Sequence, residues 1–183
     1  MTIDTLGDIT RHHRRERPDD IAMVYTTDGR QWTFKELDDE SCQVAQALMA
    51  AGINAGDRVA YLDKNTPEYF TLLYGITKLN AVSVAVNWRL SASEMEFILQ
   101  NSESKVLLIG AEFLGHLEQM SLDIDEIVVI GDPGDSGYLS YEQWIANCPV
   151  EDPEVAATAE DTCYQLYTSG TTGLPKGVEL THG

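Results

Sequence analysis

Short apolar runs alternate with longer amphipathic stretches through the middle of the chain. Four runs have the length and residue types of buried β-strands, at residues 58–62, 81–86, 105–110 and 126–130. Between them, residues 69–79 and 91–101 have helical apolar spacing, and Ser91 with Glu94 three positions later has the pattern of a helix cap. Buried strands separated by helices pair in parallel through right-handed crossovers. The pattern therefore predicts a doubly wound, mainly parallel α/β sheet with flanking helices.

The first part of the chain has a different pattern. Residues 5–17 are basic and sparsely apolar, which predicts a surface helix. Two β-prone runs, 21–26 and 31–33, flank Asp28-Gly29, a pair that supplies positive φ angles, and so predict a small antiparallel hairpin.

A longer helix is predicted directly after this hairpin. Thr33 and Glu36 form a capping-box pattern, and the apolar positions that follow share one face until Gly52 ends the helix.

The segment 131–161 is rich in proline, glycine and acidic residues, with one helical patch at 141–146. We interpret it as a surface connector. After it, residues 163–168 and 178–181 are strand patterns on either side of a glycine-rich loop. These changes divide the chain into four parts, namely 1–57, 58–130, 131–161 and 162–183.

Composition excludes several classes of partner. The chain has 12 basic and 30 acidic residues and a net charge of −18, which disfavours binding to nucleic acid and to anionic membrane surfaces. No apolar stretch has transmembrane length and no signal-peptide pattern follows Met1. We therefore expect a soluble, cytoplasmic protein without an integral membrane segment; its oligomeric state is open.

Cysteines and histidines give no metal-binding pattern. The three cysteines are widely spaced, which is typical of a reducing compartment. The four histidines lack ligand spacing, so surface or capping roles are expected at His12, His13, His116 and His182.

The loop between the last two strands carries the clearest chemistry. Glycines allow backbone N–H groups to approach a ligand closely, hydroxyls add donors, and Lys176 adds a positive charge. These are the groups that bind phosphate oxygens, and they are Ser169, Gly170, Thr171, Thr172, Gly173, Lys176 and Gly177. The loop is not a Walker A motif, because Lys176 precedes a glycine and a strand follows. A glycine-rich hairpin with incidental threonines is the structural alternative.

The segment from Tyr167 to Val178, Tyr-Thr-Ser-Gly-Thr-Thr-Gly-Leu-Pro-Lys-Gly-Val, resembles the signature of the AMP-binding, or acyl-adenylate-forming, enzymes. The resemblance extends to residues 32–37, 56–60 and 81–90, and so covers nearly the whole chain. Departures are Asn80 where glycine is common, Ala85 where proline is common, and Glu179 where an apolar residue is usual.

Within the family, the Asn87-Trp88-Arg89-Leu90 segment is similar to fatty and aryl acyl-CoA synthetases, and the resemblance is closest to the bacterial fatty acyl-CoA synthetases. A hydrogen-bonded turn is the structural interpretation of Asn87 and Arg89. Two alternatives remain open: an adenylation domain that loads a carrier protein, and a non-catalytic nucleotide-binding module.

The resemblance implies ATP, Mg²⁺, CoA and a carboxylic acid, expected to be a fatty acid, as ligands. It also implies that Thr168 to Gly173 and Lys176 hold the β- and γ-phosphates of ATP. Family members continue well beyond this sequence, so the chain resembles the N-terminal part of such an enzyme. The Mg²⁺-binding glutamate, the ribose-binding aspartate and the catalytic lysine of the C-terminal domain are expected outside these residues. We accordingly expect no thioester formation by the 183 residues alone.

Two residues near the loop have open roles. Asp161 is either a turn acid or a support for the loop, and Tyr167 is expected to pack beneath the loop rather than meet substrate.

Overall fold

The computed structural model describes residues 2–168 and 175–183. Five α-helices lie in these residues: α1 (Leu6–Glu16), α2 (Phe34–Ala50), α3 (Pro67–Lys78), α4 (Ala92–Asn101) and α5 (Tyr141–Ile145). Strands β1 to β9 are Ile21–Val24, Gln31–Thr33, Arg58–Leu62, Val82–Ala85, Ser104–Gly110, Glu126–Ile130, Leu139–Ser140, Thr162–Thr168 and Lys176–Thr181. A 3₁₀ helix, Ala111–Gln119, follows β5.

The predicted helix caps are confirmed. The Thr33 backbone N–H donates to the Glu36 carboxylate at 2.8 Å, and the Glu36 N–H donates back to the Thr33 hydroxyl at 3.2 Å. Ser91 donates in the same way from its N–H to Glu94 at 2.9 Å. These local bonds satisfy donors that a helix leaves unpaired in its first turn, which is why the starts of α2 and α4 were predictable.

Seven strands form the main sheet in the order β7-β6-β5-β3-β4-β8-β9. Every neighbouring pair is parallel except β8 and β9, which are antiparallel. The separate β1–β2 pair is antiparallel, as the hairpin pattern predicted. Only Gly29 of the Asp28-Gly29 pair has a positive φ, at 81°.

The sheet is doubly wound, as predicted. From β3 the chain passes through α3 to β4, then crosses back over β3 through α4 to reach β5 on the other side. Right-handed crossovers in opposite directions place their helices on opposite faces. Val59 and Tyr61 accordingly pack with α2 and α3, whereas Ala60 and Leu62 pack in the cluster that includes α4.

The interpretation of residues 131–161 as a surface connector is wrong in part. Leu139–Ser140 forms β7 and pairs with β6, and Tyr141 and Trp144 of α5 are buried in the core. The contacts of β7 and α5 are mainly with β6 at the sheet edge and with α2, both of which lie outside this segment. Local apolar periodicity therefore gave no indication that Tyr141 and Trp144 are buried.

The first helix is also more integrated than a surface helix, because Gly7 and Thr10 are buried and α1 packs on α2 and α3. Its basic residues serve a group that we call the buried ion cluster, formed by Arg11, Arg14, Asp38, Lys78 and Asp152.

Lys78 is fully buried at the centre of the buried ion cluster. Its ammonium group contacts Asp38 at 2.8 Å and Asp152 at 2.7 Å. Arg11 binds both oxygens of Asp152, at 2.7 and 2.8 Å, and Arg14 binds Asp38 at 3.0 Å. The cluster therefore joins α1, α2, α3 and the segment that leads to β8.

Candidate functional site

The ends of the candidate phosphate loop lie at one edge of the main sheet. Strand β8 is parallel to β4, and β4 is parallel to β3, so all three end at the same side, which we call the carboxyl edge. Thr168 ends β8 and lies opposite Lys176, the first residue of β9. Both residues are exposed. In an open α/β sheet the carboxyl edge is where ligands bind.

The remaining loop residues predicted for the site, Ser169, Gly170, Thr171, Thr172 and Gly173, lie outside the described residues. Lys176 was predicted within the loop, with the second strand beginning at residue 178. It instead pairs with Thr168 as part of β9, so its backbone is fixed by the sheet.

A polar network supports β8 and β9 on the side facing α4. Tyr167 donates from its hydroxyl to Asn101 at 2.8 Å and accepts from Gln165 at 3.0 Å. Arg58 reaches across both strands, to Gln165 at 3.3 Å and Glu179 at 2.7 Å. The unusual Glu179 thus has a partner, and Tyr167 packs against α4.

Gly177 lies close against the same network. A Cβ at this position would lie 2.6 Å from Gln165 Nε2 and 3.1 Å from the Tyr167 ring. The glycine next to Lys176 therefore lets β9 lie close over the polar side chains of β8.

Sequence reasoning missed Arg58, Gln165 and Asn101 as partners of strands β8 and β9. A signal was present in part: Gln165 and Glu179 are polar residues within strand patterns, directly opposite each other in the pairing of β8 with β9. Their partner Arg58 was not predictable, because strand order places it there.

A second group of side chains lies at the carboxyl edge, after β3 and β4. Lys64 contacts Glu112 at 2.7 Å and lies 5.4 Å from the centre of the Trp88 ring. The guanidinium of Arg89 stacks on the same ring at 4.0 Å. Trp88 thus lies near two cations at the edge where β8 ends.

The turn after β4 has the hydrogen bonds that its structural interpretation predicted. Asn87 accepts from the Arg89 N–H through its side chain at 3.0 Å and from the Leu90 N–H through its carbonyl at 3.1 Å. Asn87 therefore shapes a turn, and the Arg89 side chain is left on Trp88.

Asp63, the residue after β3, is the most perturbed acid at this edge. Its carboxylate accepts from the Lys64 N–H at 2.6 Å and fills the space beside Gly110, where a Cβ would lie 2.4 Å away. Burial, together with Glu112 and Glu68, raises the pKa of Asp63 to about 6. The nearby Lys64 ammonium is directed to Glu112, so it compensates Asp63 only weakly.

Asp161 is a turn acid and does not support the loop. It precedes β8 at the end opposite Thr168, about 20 Å away along an extended strand. Its carboxylate accepts from the Thr158 N–H at 2.8 Å and from the Asn80 side chain at 3.1 Å. Asn80 has a φ of 53°, in the left-handed region that glycine and asparagine adopt more readily than other residues. This explains why asparagine fits at a position where glycine is common.

Histidines, cysteines and acids form no metal centre in the part of the chain that the structure describes, since no three of them are grouped as ligands. All three cysteines are free thiols. Over the same residues, no helix has the length and apolar character to cross a membrane.

Comparison with known proteins gives a family match. A family model described as "AMP-binding enzyme" matches residues 10–183. The fatty acid–[acyl-carrier-protein] ligase ScoC of Streptomyces coeruleorubidus is 41% identical over 182 residues, which are 98% of this chain and 33% of that protein. The long-chain-fatty-acid–CoA ligase FadD13 of Mycobacterium tuberculosis is 38% identical over 177 residues, 97% of this chain and 35% of that protein.

Solved structures agree with this match. The anthranilate CoA ligase AuaEII in complex with anthranoyl-AMP superposes with a TM-score of 0.90 at 34% identity, covering 100% of this chain and 36% of that one. The chain thus spans about a third of the length of the proteins it matches.

Proposed function

Since the chain belongs to the AMP-binding enzyme family, we propose that it is the N-terminal portion of an ATP-dependent acid–CoA ligase that acts through an acyl-adenylate. The observation that carries the proposal is the antiparallel β8–β9 pair at the carboxyl edge, with Thr168 opposite Lys176 and a glycine- and hydroxyl-rich segment between them. The activity is proposed for the longer parent protein, because these residues account for about a third of its relatives.

The proposed reaction has two steps. A carboxylate oxygen attacks the α-phosphorus of ATP and displaces pyrophosphate, which gives an acyl-adenylate. The sulfur of CoA then attacks the acyl carbon, loses its proton and displaces AMP, which gives the thioester.

The role of this chain is to hold the leaving pyrophosphate. Lys176 contributes a positive charge from a strand position that is fixed by pairing, and Thr168 contributes a hydroxyl. Ser169 to Gly173 would add hydroxyls and closely approaching N–H groups. Fixed donors around the β- and γ-phosphates orient ATP and stabilise the charge that develops as pyrophosphate leaves.

Other components of the proposal come from outside the described residues. Mg²⁺ would arrive with ATP and neutralise part of its phosphate charge, with protein ligands in the rest of the parent. CoA would also bind mainly there. A cytosolic location fits the three free thiols.

A fatty acid is the proposed substrate, which the names of the two relatives in Streptomyces and Mycobacterium support. They differ in the acceptor, since one is named for an acyl-carrier protein and the other for CoA. A carrier-loading ligase is therefore the second candidate function. An assay of the parent with CoA against a phosphopantetheinylated carrier protein separates the two: a thioester formed only on the carrier overturns the CoA proposal.

The loop is tested with Lys176→Ala in the parent, measured by ATP–pyrophosphate exchange. Removing one charged donor to the phosphates should raise the KM for ATP or slow adenylation on the order of 10- to 100-fold. Lys35→Ala, an exposed lysine on α2, is the matched control and should leave exchange unchanged. Unchanged kinetics in Lys176→Ala would remove Lys176 from the site.

A further inference from the structure

Strand β9 carries Lys176 as its first residue and pairs with β8 along its length. All six of its residues are exposed, and in the described part of the chain it is the last strand of the sheet, paired only with β8. Pairing with β8 fixes the backbone of β9, and contacts at the ends of the strand add to this fixation. The loop lies at the first end of the strand, and the other end has contacts of its own.

His182 makes the side-chain contact at that other end. Its Nδ1 accepts from the backbone N–H of Leu6, the first residue of α1, at 3.0 Å. Its own backbone N–H donates to the Asp161 carbonyl at 3.2 Å. The first N–H groups of a helix have no partner within the helix, so His182 supplies one from a distant part of the chain.

The helix that His182 caps is itself rigidly held. Asp8 closes a capping box on Thr5, with its carboxylate 3.0 Å from the Thr5 nitrogen. One turn further, Arg11 forms its two bonds to Asp152 in the buried ion cluster. Through α1, the C-terminal end of β9 is thus connected to helices α2 and α3.

The capping bond requires neutral His182 with the proton on Nε2. Nδ1 can accept a hydrogen bond only when it carries no proton. In the charged imidazolium Nδ1 is itself a donor, so it would face the Leu6 N–H donor and the bond would be lost. Asp8 of α1 and Asp161 before β8 face the ring and favour its charged form, but burial outweighs them and lowers the pKa of His182.

We propose that His182 is a positioning residue for the phosphate loop: by capping α1 it fixes the exit of β9, and so sets Lys176 at the entry of that strand, until protonation releases the cap. The inference rests on the proposed function of the loop. His182 lies about 20 Å from Lys176 along the strand and touches no substrate. It therefore acts on ATP binding only through β9.

The test uses ATP–pyrophosphate exchange by the parent protein between pH 5.5 and 8.5, with His182→Ala and His182→Asn. At pH 8, the alanine variant should raise the KM for ATP roughly two- to tenfold, the worth of one hydrogen bond, with little change in kcat. The wild type should approach that raised KM at a pH below 6.5, the ordinary pKa of a histidine. The asparagine variant, which keeps an acceptor that does not titrate, should stay near the wild-type KM at both pH values.

Three outcomes would overturn the inference: a wild-type KM in His182→Ala, equal losses in the alanine and asparagine variants, or a loss in kcat rather than KM. His13→Asn is the control for histidine removal. His13 lies in α1, the helix that His182 caps, and packs on Phe34, so this variant should retain the wild-type pH profile.

Two further measurements cover the case of unfolded variants and separate this inference from the function proposed for the loop. If the variants do not fold, ¹⁵N NMR of histidine-labelled wild type decides: a His182 Nδ1 that carries a proton at pH 8 contradicts the cap. Lys176→Ala in the same assay separates the two proposals. An effect of Lys176 without one of His182 overturns this inference alone, whereas no effect of Lys176 also overturns the function proposed for the loop.

Discussion

Asp152 and Asp63 are both half-buried aspartates, but they lie in different regions of the molecule and differ in their partners. Asp152 lies beside helices α1 and α3, where it contacts Lys78 and two of the three guanidinium nitrogens of Arg11. Asp63 lies at the carboxyl edge, where its hydrogen bond comes from the Lys64 backbone and the nearby lysine ammonium is directed to Glu112.

The two carboxyl groups titrate in opposite directions. Burial alone would raise both pKa values, but at Asp152 the hydrogen bonds from Arg11 and Lys78 outweigh burial and hold the pKa below its usual value. At Asp63 burial prevails and the pKa rises to about 6. The negative charge of Asp152 is therefore neutralised by direct ion pairs beside α1 and α3. The negative charge of Asp63, at the carboxyl edge, is poorly compensated.

The largest expected effect is the loss of the buried cation. Lys78→Met in the parent would leave Asp38 and Asp152 without their shared partner and should lower the free energy of unfolding by about 3 kcal/mol. Urea denaturation measures the change. Lys35→Met, an exposed lysine on α2, should change stability by less than about 0.5 kcal/mol. Equal stability in the two variants would contradict a structural role for the cluster.

A smaller effect is expected at Asp152, and it should depend on pH. Because the folded pKa is below the ordinary value of 3.8, the stabilising effect is present above pH 3.8 and is lost as the pH falls further. Asp152→Asn keeps the shape of the side chain and should cost about 1–2 kcal/mol at pH 7, after allowance for its partial exposure.

Melting curves between pH 2.5 and 7 test this prediction. The difference between wild type and Asp152→Asn should shrink toward the acid end, while Asp38, whose pKa is also lowered, keeps part of the acid dependence in both proteins. A difference that stays constant over the whole range would mean that the charge of Asp152 contributes nothing.

The regular elements were predictable because their signals are local. Apolar runs at β3 to β6, and hydrogen-bonding pairs such as Thr33 with Glu36, lie within a few residues of one another. The doubly wound class of the sheet followed from the alternation of these elements, but its strand order did not. The strand that ends at Thr168 was also predictable from its residue pattern, whereas Lys176 was expected inside the loop and instead begins β9.

The supporting contacts were not predictable, because they join distant positions. Lys78 stands out as a charge near the end of an apolar helix, but nothing local indicates that Asp38 and Asp152 are its partners. His182 likewise had only the expectation of a surface or capping role until the fold brought it to Leu6. Such pairs depend on strand order and helix placement rather than on periodicity.

The smallest expected effect is at Asp63, and it has the opposite sign from that at Asp152. Because the folded pKa of about 6 lies above the ordinary value of 3.8, the carboxyl group costs nothing below pH 3.8 and destabilises the fold as the pH rises through 6. Asp63→Asn removes the charge but keeps an oxygen that accepts from the Lys64 N–H. It should therefore stabilise the parent by up to about 1 kcal/mol at pH 8, discounted for partial exposure, and by nearly nothing at pH 4. Melting temperatures at the two pH values measure this, and an equal effect at both would show that shape rather than charge governs the position.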